Sequence, residues 1–248
     1  MPRFLIAPGT QVNECVYLDA KESHHAIHVL RLAVGDSVDL LDGKGGGFKG
    51  EVHSIENGRL KVRVLKTVSG KTLTRAQVTL AVSVIKPERM EWLVEKASEL
   101  GVHRLIPVLS DRSVVRLSAD RWQAKTERWR RIAEETCKQC GRTDLPMIDQ
   151  TRKWTDLLRG LDGYDLILIP TLEGLTAPLP DVLAAHLNAK KVLVLIGPEG
   201  DFTPEEIDSV VSRGAQAVTL GERVLRSETA AIFVLSVLEA HYSRYYID

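Results

Sequence analysis

No window of this 248-residue chain approaches the roughly 18 uninterrupted apolar residues that a membrane helix requires. The start, Met1-Pro2-Arg3-Phe4-Leu5-Ile6-Ala7-Pro8-Gly9, is too short and too broken for a signal peptide. A cytosolic protein with no membrane partner is therefore expected. Cysteine is scarce: Cys15, Cys137 and Cys140 are an odd number with no second pair, which argues against a disulfide framework and a four-thiolate zinc site. The chain carries no internal repeat and no low-complexity tract, and its net charge is zero.

What is present begins with how that charge is distributed. Residues 1–71 hold 10 basic and 8 acidic side chains, residues 72–160 hold 17 and 12, and residues 161–248 hold 6 and 13, giving +2, +5 and −7. Only the first two-thirds invite a polyanion. Within it, Arg112, Arg116, Arg121, Lys125, Arg128, Arg130 and Arg131 stand against Asp120 and Glu127, with Trp122 and Trp129 interleaved. Phosphate contact and base stacking use such residues. A solvated helix face with its tryptophans turned into the core uses them equally well, and the pattern leaves both open.

The first ~70 residues alternate short apolar runs with turn signals such as Asp42-Gly43-Lys44-Gly45-Gly46-Gly47 and Asn57-Gly58, the pattern of a small β-barrel. One helix interrupts it, opened by Asp19 and Glu22 in capping-box spacing and running through His24, His25, His28 and Leu30 to Arg31. A polar linker around Thr67–Arg75 follows. From Val78 strand and helix alternate: strands over 78–85, 104–109, 166–169, 192–196 and 217–220, helices over 88–100, 121–140, 205–213 and 229–241. That alternation predicts a parallel sheet covered by helices.

Two strand ends stand out. The apolar run Val192–Ile196 stops at Gly197-Pro198-Glu199-Gly200, and Thr203-Pro204-Glu205-Glu206 then combines an N-cap hydroxyl, a proline at the first helical position and a glutamate at N3. The run Ala217–Leu220 ends at Gly221-Glu222-Arg223-Val224-Leu225-Arg226, with Ser227, Glu228 and Thr229 opening a helix. Ligands of open α/β sheets bind at such carboxyl ends, where backbone groups can pair with an adenine edge and apolar side chains supply walls. Neither loop carries the G-x-G-x-x-G of a dinucleotide site, and Gly70-Lys71-Thr72 lacks the upstream glycine of a P-loop. His24 and His28 are i, i+4 without an evident third ligand, so no metal is expected. Cys137-Lys138-Gln139-Cys140 lies within a helical pattern and reads as a pair of core thiols.

Together, Ile196-Gly197-Pro198-Glu199-Gly200 and the run Leu220–Ala230 closely resemble the signature of the RsmE family, the 16S ribosomal RNA uridine-N3 methyltransferases. His24-His25 with Val29-Leu30-Arg31 and Gly35-Asp36, the run Lys96–Val102, Arg112–Val115, and Gln139 with Arg142 and Pro146 agree in order, so the resemblance spans nearly the full length. Asp201 departs from it, standing where the family usually has a second glycine.

The resemblance implies a SPOUT methyltransferase. The fold class is then α/β, a C-terminal trefoil-knotted parallel sheet with helices on both faces (76–248), preceded by a small PUA-like β-barrel that binds RNA (1–71). It implies S-adenosyl-L-methionine as cofactor, a homodimer, and 16S ribosomal RNA of the small subunit as substrate. The cofactor residues so implied are Pro170, Thr171, Leu172, Ile196, Gly197, Gly200, Leu220, Gly221, Val224, Leu225, Arg226 and Thr229. The RNA-contacting residues are His24, His25, Arg31, Arg112, Arg116, Gln139 and Arg142. Removing the N3 proton needs a base or an anion-stabilising cation, and Glu199, Arg226 and Glu228 are the candidates beside the two loops. Two readings compete: a SPOUT enzyme acting on ribose or guanosine, and a non-catalytic ribosome-assembly module.

Overall fold

The computed structural model describes residues 1–68, 76–113, 115 and 118–243. The chain divides into two compact units, Met1–Thr72 with Glu134–Leu145, and Leu73–Ala133 with Pro146–Asp248. Most of the expected linker lies outside the described residues.

The first unit is a curled five-stranded sheet of β1 (Arg3–Leu5), β2 (Cys15–Tyr17), β3 (Ser37–Leu41), β4 (Gly47–Glu56) and β5 (Arg59–Val68), in the order β1-β3-β4-β5-β2. Asn57 and Gly58 both take positive φ and make the tight β4–β5 turn that their dipeptide predicts. Register shifts at Lys49/Gly50 and Val52/Ser54 bend the pair. At the first shift a Cβ on Gly50 would lie 2.7 Å from Val62 and 2.9 Å from Leu40, so only glycine permits the curl there. Phe4, Leu18, Val38, Leu40, Val52, Leu60, Val62 and Val64 fill its core. The spacing G-x-G-x-x-G does occur once in the chain, at Gly45–Gly50, but there it leads into antiparallel strand β4 and not into a helix.

The expected helix in this unit is shorter than its spacing predicts. Asp19 Oδ1 accepts the Glu22 N–H at 2.7 Å, yet Glu22 does not return the bond; its buried carboxylate accepts from Lys138 Nζ instead. Helix α1 (Ala20–His24) passes into a π-turn over His25–Val29, and Arg31 sits at φ +55°, outside the helix. Lys21 also bonds Glu135 at 3.0 Å, so two ion pairs tie the 134–145 segment to this unit.

The second unit contains β6 (Gln77–Ser83), α2 (Pro87–Glu99), β7 (Arg104–Leu109), α3 (Ala119–Cys140, shared with the first unit), β8 (Met147–Ile148), β9 (Arg152–Lys153) and α4 (Trp154–Leu157). After these come β10 (Leu166–Pro170), β11 (Ala177–Pro178), α5 (Leu179–Ala185), β12 (Lys191–Ile196), α6 (Pro204–Val211), β13 (Gln216–Thr219) and α7 (Ser227–Ser243). The strands pair in parallel in the order β11-β13-β10-β12-β6-β7-β8, with β9 also on β7.

Alternation along each buried strand separates two cores. Leu166, Leu168, Val192, Val194 and Ile196 face Met90, Leu93, Leu183, Val234 and Leu238 on α2, α5 and α7. Ile167, Ile169, Leu193 and Leu195 face Trp154, Leu157, Ile207 and Val210 on α4 and α6. Helices therefore cover both faces, as a sheet of fully apolar strands requires. Trp122 and Trp129 enter the first of these cores, which resolves the two readings of the basic segment in favour of packing for its tryptophans.

Candidate functional site

Strand β10 lies between β13 and β12, so the chain reverses direction across the sheet between its last three long strands. The carboxyl ends at Thr219, Pro170 and Ile196 are thereby adjacent, and the loops that follow them line an open cleft. A strand-order reversal is where an open α/β sheet leaves a crevice for a ligand.

The loop after β12 is held by partners distant in sequence. Phe202 is fully buried and packs on Trp154 at 4.7 Å between ring centroids. Arg112 Nη1 donates to the carbonyls of Gly200 (2.6 Å) and Phe202 (3.3 Å). The predicted capping box is complete: Glu206 N–H donates to Thr203 Oγ1 (3.2 Å) and Thr203 N–H to Glu206 Oε2 (3.0 Å). Glu206 Oε1 also accepts the Asp111 N–H at 2.9 Å. A Cβ on Gly197 would stand 2.9 Å from Asp201 Oδ1 and 3.1 Å from Phe202 N, a close approach that glycine alone allows.

The loop after β13 is built differently. Gly221, at φ +114°, donates its N–H to Thr219 Oγ1 at 3.2 Å, and residues 221–224 are exposed, Val224 to 74%. Leu220, Val224 and Leu225 give this side of the cleft an apolar lining, opposite Ile196, Pro170 and Leu172.

Glu199 lines the cleft, and behind it Arg89 and Glu228, which do not, complete a cluster of three charges. Glu228, in the first turn of α7, is buried; its Oε1 lies 3.6 Å from Arg89 Nε, and its Oε2 is buried without a hydrogen-bond partner among the described residues. Arg89 Nη1 also stands 3.5 Å from Glu199 Oε1. A helix N-terminus favours the Glu228 carboxylate. Arg226 precedes α7, is exposed, and forms no ion pair within 4 Å among the described residues. Arg89 was missed by the sequence reading. Its signal was a cation in the first turn of a helix, against the dipole, just past the carboxyl end of a buried strand.

Of the twelve residues implied for the cofactor, Pro170, Thr171, Leu172, Ile196, Gly197, Leu220, Gly221, Val224 and Leu225 line the cleft, whereas Gly200, Arg226 and Thr229 do not. Pro198, Asp201, Thr219, Arg223, Ser227 and Ala230 line it without having been named for the cofactor, as does Glu199, which was named as a catalytic candidate. Each adjoins an expected residue, so a reading by strand ends rather than by motif would have included them.

Of the residues implied for RNA, His24, His25, Arg31 and Gln139 are exposed, and the His24 and His28 rings lie 4.6 Å apart. Arg112 is exposed but turns one nitrogen to the loop carbonyls. Arg142 is a correction: its side chain is 2% exposed and forked onto Asp144 (3.2 and 2.7 Å), so it braces a turn instead of reaching solvent. Arg116 lies outside the described residues. The thiols are a second correction, because Cys137 is buried, which pushes its pKa up to about 12, but Cys140 is exposed.

Profiles of known families match both units. An RNA methyltransferase domain matches residues 72–239, and an RNA methyltransferase PUA domain matches residues 18–65. Ribosomal RNA small subunit methyltransferase E of Synechocystis is 30% identical over 239 residues, covering 96% of this chain and 77% of that protein. The protein of the same name from Bacillus subtilis is 27% identical over 225 residues, covering 89% and 88%. Among solved structures, ribosomal RNA small subunit methyltransferase E of Neisseria gonorrhoeae bound to S-adenosyl methionine superposes with a TM-score of 0.88 at 27% identity, covering 98% of each chain. A methyltransferase from Legionella pneumophila with S-adenosylmethionine bound gives 0.87 at 29% identity, covering 96% of each.

Proposed function

This chain belongs to the RsmE family of RNA methyltransferases, and on that premise we propose that it methylates N3 of a uridine in the 16S ribosomal RNA of the small subunit, using S-adenosyl-L-methionine. The observation that carries the reading is the cleft at the adjoining ends of β10, β12 and β13. Its chemistry suits an adenosyl group: backbone N–H and C=O groups at strand ends, apolar walls from Leu220, Val224 and Leu225, and glycine at 197 where no Cβ fits. The reading includes the trefoil threading of the C-terminal chain and the division into an RNA-binding part, 1–71, and a methyltransferase part, 76–248.

Transfer to uracil N3 requires the proton on that nitrogen to leave while the nitrogen lone pair faces the methyl carbon in line. When bound in the cleft, S-adenosylmethionine would supply a methyl carbon on a sulfonium, whose sulfur is left as a neutral thioether once the C–S bond breaks. We assign the base to Glu228: its Oε2 is buried without a hydrogen-bond partner among the described residues and would accept the proton once the bound uracil reaches it, while Arg89 pairs with the other oxygen. Glu199 fixes Arg89 from the far side. Arg226, exposed and without an ion pair among the described residues, stabilises the negative charge that develops on the uracil carbonyls. Replacing Glu228 by Gln should lower kcat by about 10²-fold with folding intact. Turnover within twofold of the parent would remove Glu228 from this role.

For RNA, the reading assigns the exposed His24, His25, Arg31 and Gln139 to substrate contact. For assembly, it assigns a second copy to the face bearing Trp92 on α2 and Phe233 on α7, exposed to 44% and 43% although their helices share one core. Phe233→Glu should then convert a dimer into a monomer by light scattering.

The deciding experiment incubates the protein and labelled S-adenosylmethionine with undermodified small subunits, then maps the labelled nucleotide by mass spectrometry. Label on uridine N3 is expected. Label on ribose or guanosine overturns the assigned target, and absence of cofactor binding by calorimetry favours the assembly-module reading.

A further inference from the structure

The side chain at position 201 joins two of the three loops around the cleft. Asp201 Oδ2 accepts from Thr171 Oγ1 at 3.0 Å and from the Leu172 N–H at 3.1 Å, both on the loop after β10. Its Oδ1 accepts the Phe202 N–H at 2.7 Å, on the loop after β12. The hydroxyl of Thr171 is itself placed, because the Thr171 side chain is buried and accepts the Glu173 N–H at 3.2 Å. The Thr171 N–H donates to Val218 O, on β13.

Three donors therefore converge on one carboxylate whose two oxygens only accept. A neutral amide would turn an NH2 toward at least one of those donors. The backbone also adapts to the side chain: Asp201 is at φ +58°, in the left-handed region, where aspartate is among the few tolerated residues beside glycine. Among the described residues no lysine, arginine or histidine approaches its carboxylate within 4 Å, so the group is not half of an ion pair. Two of its three side-chain bonds go to Thr171 and Leu172, which line the cleft with it.

We propose that Asp201 is a positioning residue for the cofactor: its carboxylate straps the Thr171–Leu172 wall to the loop after β12 and so holds the cleft in its binding shape. Leu172 is the part so positioned. Its side chain is 64% exposed and lines the cleft, and nothing in its own packing would fix it there. The inference rests on the reading of the cleft as an S-adenosylmethionine site, and the Leu172 amide gives it a readout that does not.

Asp201→Gly is the informative variant, because glycine adopts φ +58° without strain and removes only the carboxylate. Amide hydrogen exchange of Leu172 in the free protein should become at least about tenfold faster, since the amide loses its acceptor. Calorimetry should give a Kd for S-adenosylmethionine about tenfold higher, and the cofactor KM should rise equally while kcat at saturation stays within about twofold. In the exchange measurement, Thr171→Ser, which keeps the hydroxyl, should leave the Leu172 amide at the parental rate, and Thr171→Val should give a rate between the parent and Asp201→Gly. Unchanged exchange at Leu172 overturns the strap. Faster exchange with unchanged Kd and KM overturns its role in positioning, as does a loss of kcat with Kd unaltered. If the parent protein itself binds no S-adenosylmethionine, the functional reading and the positioning role both fall, and the exchange data alone judge whether the strap exists.

Discussion

The loops after β12 and β13 wall the same cleft, but one is pinned from outside and the other from within. Residues 197–203 are held by Arg112, Asp111 through Glu206, Thr171 and Trp154, all from other elements. Residues 220–226 are exposed over most of their length, and the side-chain bonds at Gly221 reach only its neighbour Thr219. A cleft with one fixed and one adaptable wall can present a preformed surface to a ligand and still close over it. The fixed wall lowers the ordering cost of binding, and the adaptable wall gives access.

The contrast breaks most severely at Phe202. It is fully buried against Trp154, and Phe202→Ala should cost about 3–5 kcal/mol of unfolding free energy, read from urea or thermal unfolding. A smaller loss would mean that the loop after β12 is not anchored through the core. Next in size is a calibration of remote cross-links elsewhere in the chain. Removing Lys138 strands the buried Glu22 carboxylate, and Lys138→Ala should cost on the order of 3 kcal/mol.

That cross-link also has a pH signature. Burial opposes the charge on Lys138, but its bonds to Glu22 and Glu135 outweigh burial and raise its pKa above 10.5. The stability it contributes is thus complete below 10.5 and is lost as pH rises through the higher folded value. Burial likewise opposes the charge on Glu135, while Lys138 and Lys21 hold its pKa below 4.5, so its share is complete above 4.5 and is lost as pH falls. A plateau in unfolding free energy between these limits, with losses outside them that Lys138→Ala reduces, is the expected titration.

These cross-links mark where the sequence was legible and where it was not. Thr203-Pro204-Glu205-Glu206 announced its capping box because every partner lies within one turn. Asp19 and Glu22 have the same spacing, but Lys138, 116 residues away, takes the glutamate, and no local pattern carries that competition. The parallel sheet and its apolar strands were readable from alternation and length. The meeting of Arg89 with Glu228 was not, because it depends on the spatial order of the strands and not on their order in the chain. Asp201 was visible only as a departure from glycine. Its three donors come from two loops about thirty residues apart, which a motif read along one segment cannot bring together.

Arg112 tests the fixed wall without opening a cavity. Its guanidinium is exposed, so each bond to a loop carbonyl is screened by water, and Arg112→Ala should cost only about 1 kcal/mol in stability. The same variant should raise the cofactor Kd severalfold, because the Gly200–Phe202 backbone loses its clamp. Stability lost without any change in Kd would separate the clamp from the cleft.

Val224 tests the adaptable wall, with the smallest effect on folding. At 74% exposure its side chain buries little in the free protein, and Val224→Ala should leave unfolding free energy within about 0.5 kcal/mol of the parent. Binding is different, because a loop that closes over an adenosyl group buries this side chain only in the complex. At roughly 0.8 kcal/mol per buried methylene, losing two carbons removes about 1.6 kcal/mol and weakens binding by about 15-fold. Calorimetry beside a thermal melt reads both quantities from one preparation. A Kd equal to the parent's would mean that the loop after β13 does not close on the ligand. Its exposure would then mark a passive rim, and the Asp201-strapped side of the cleft would supply most of the binding surface.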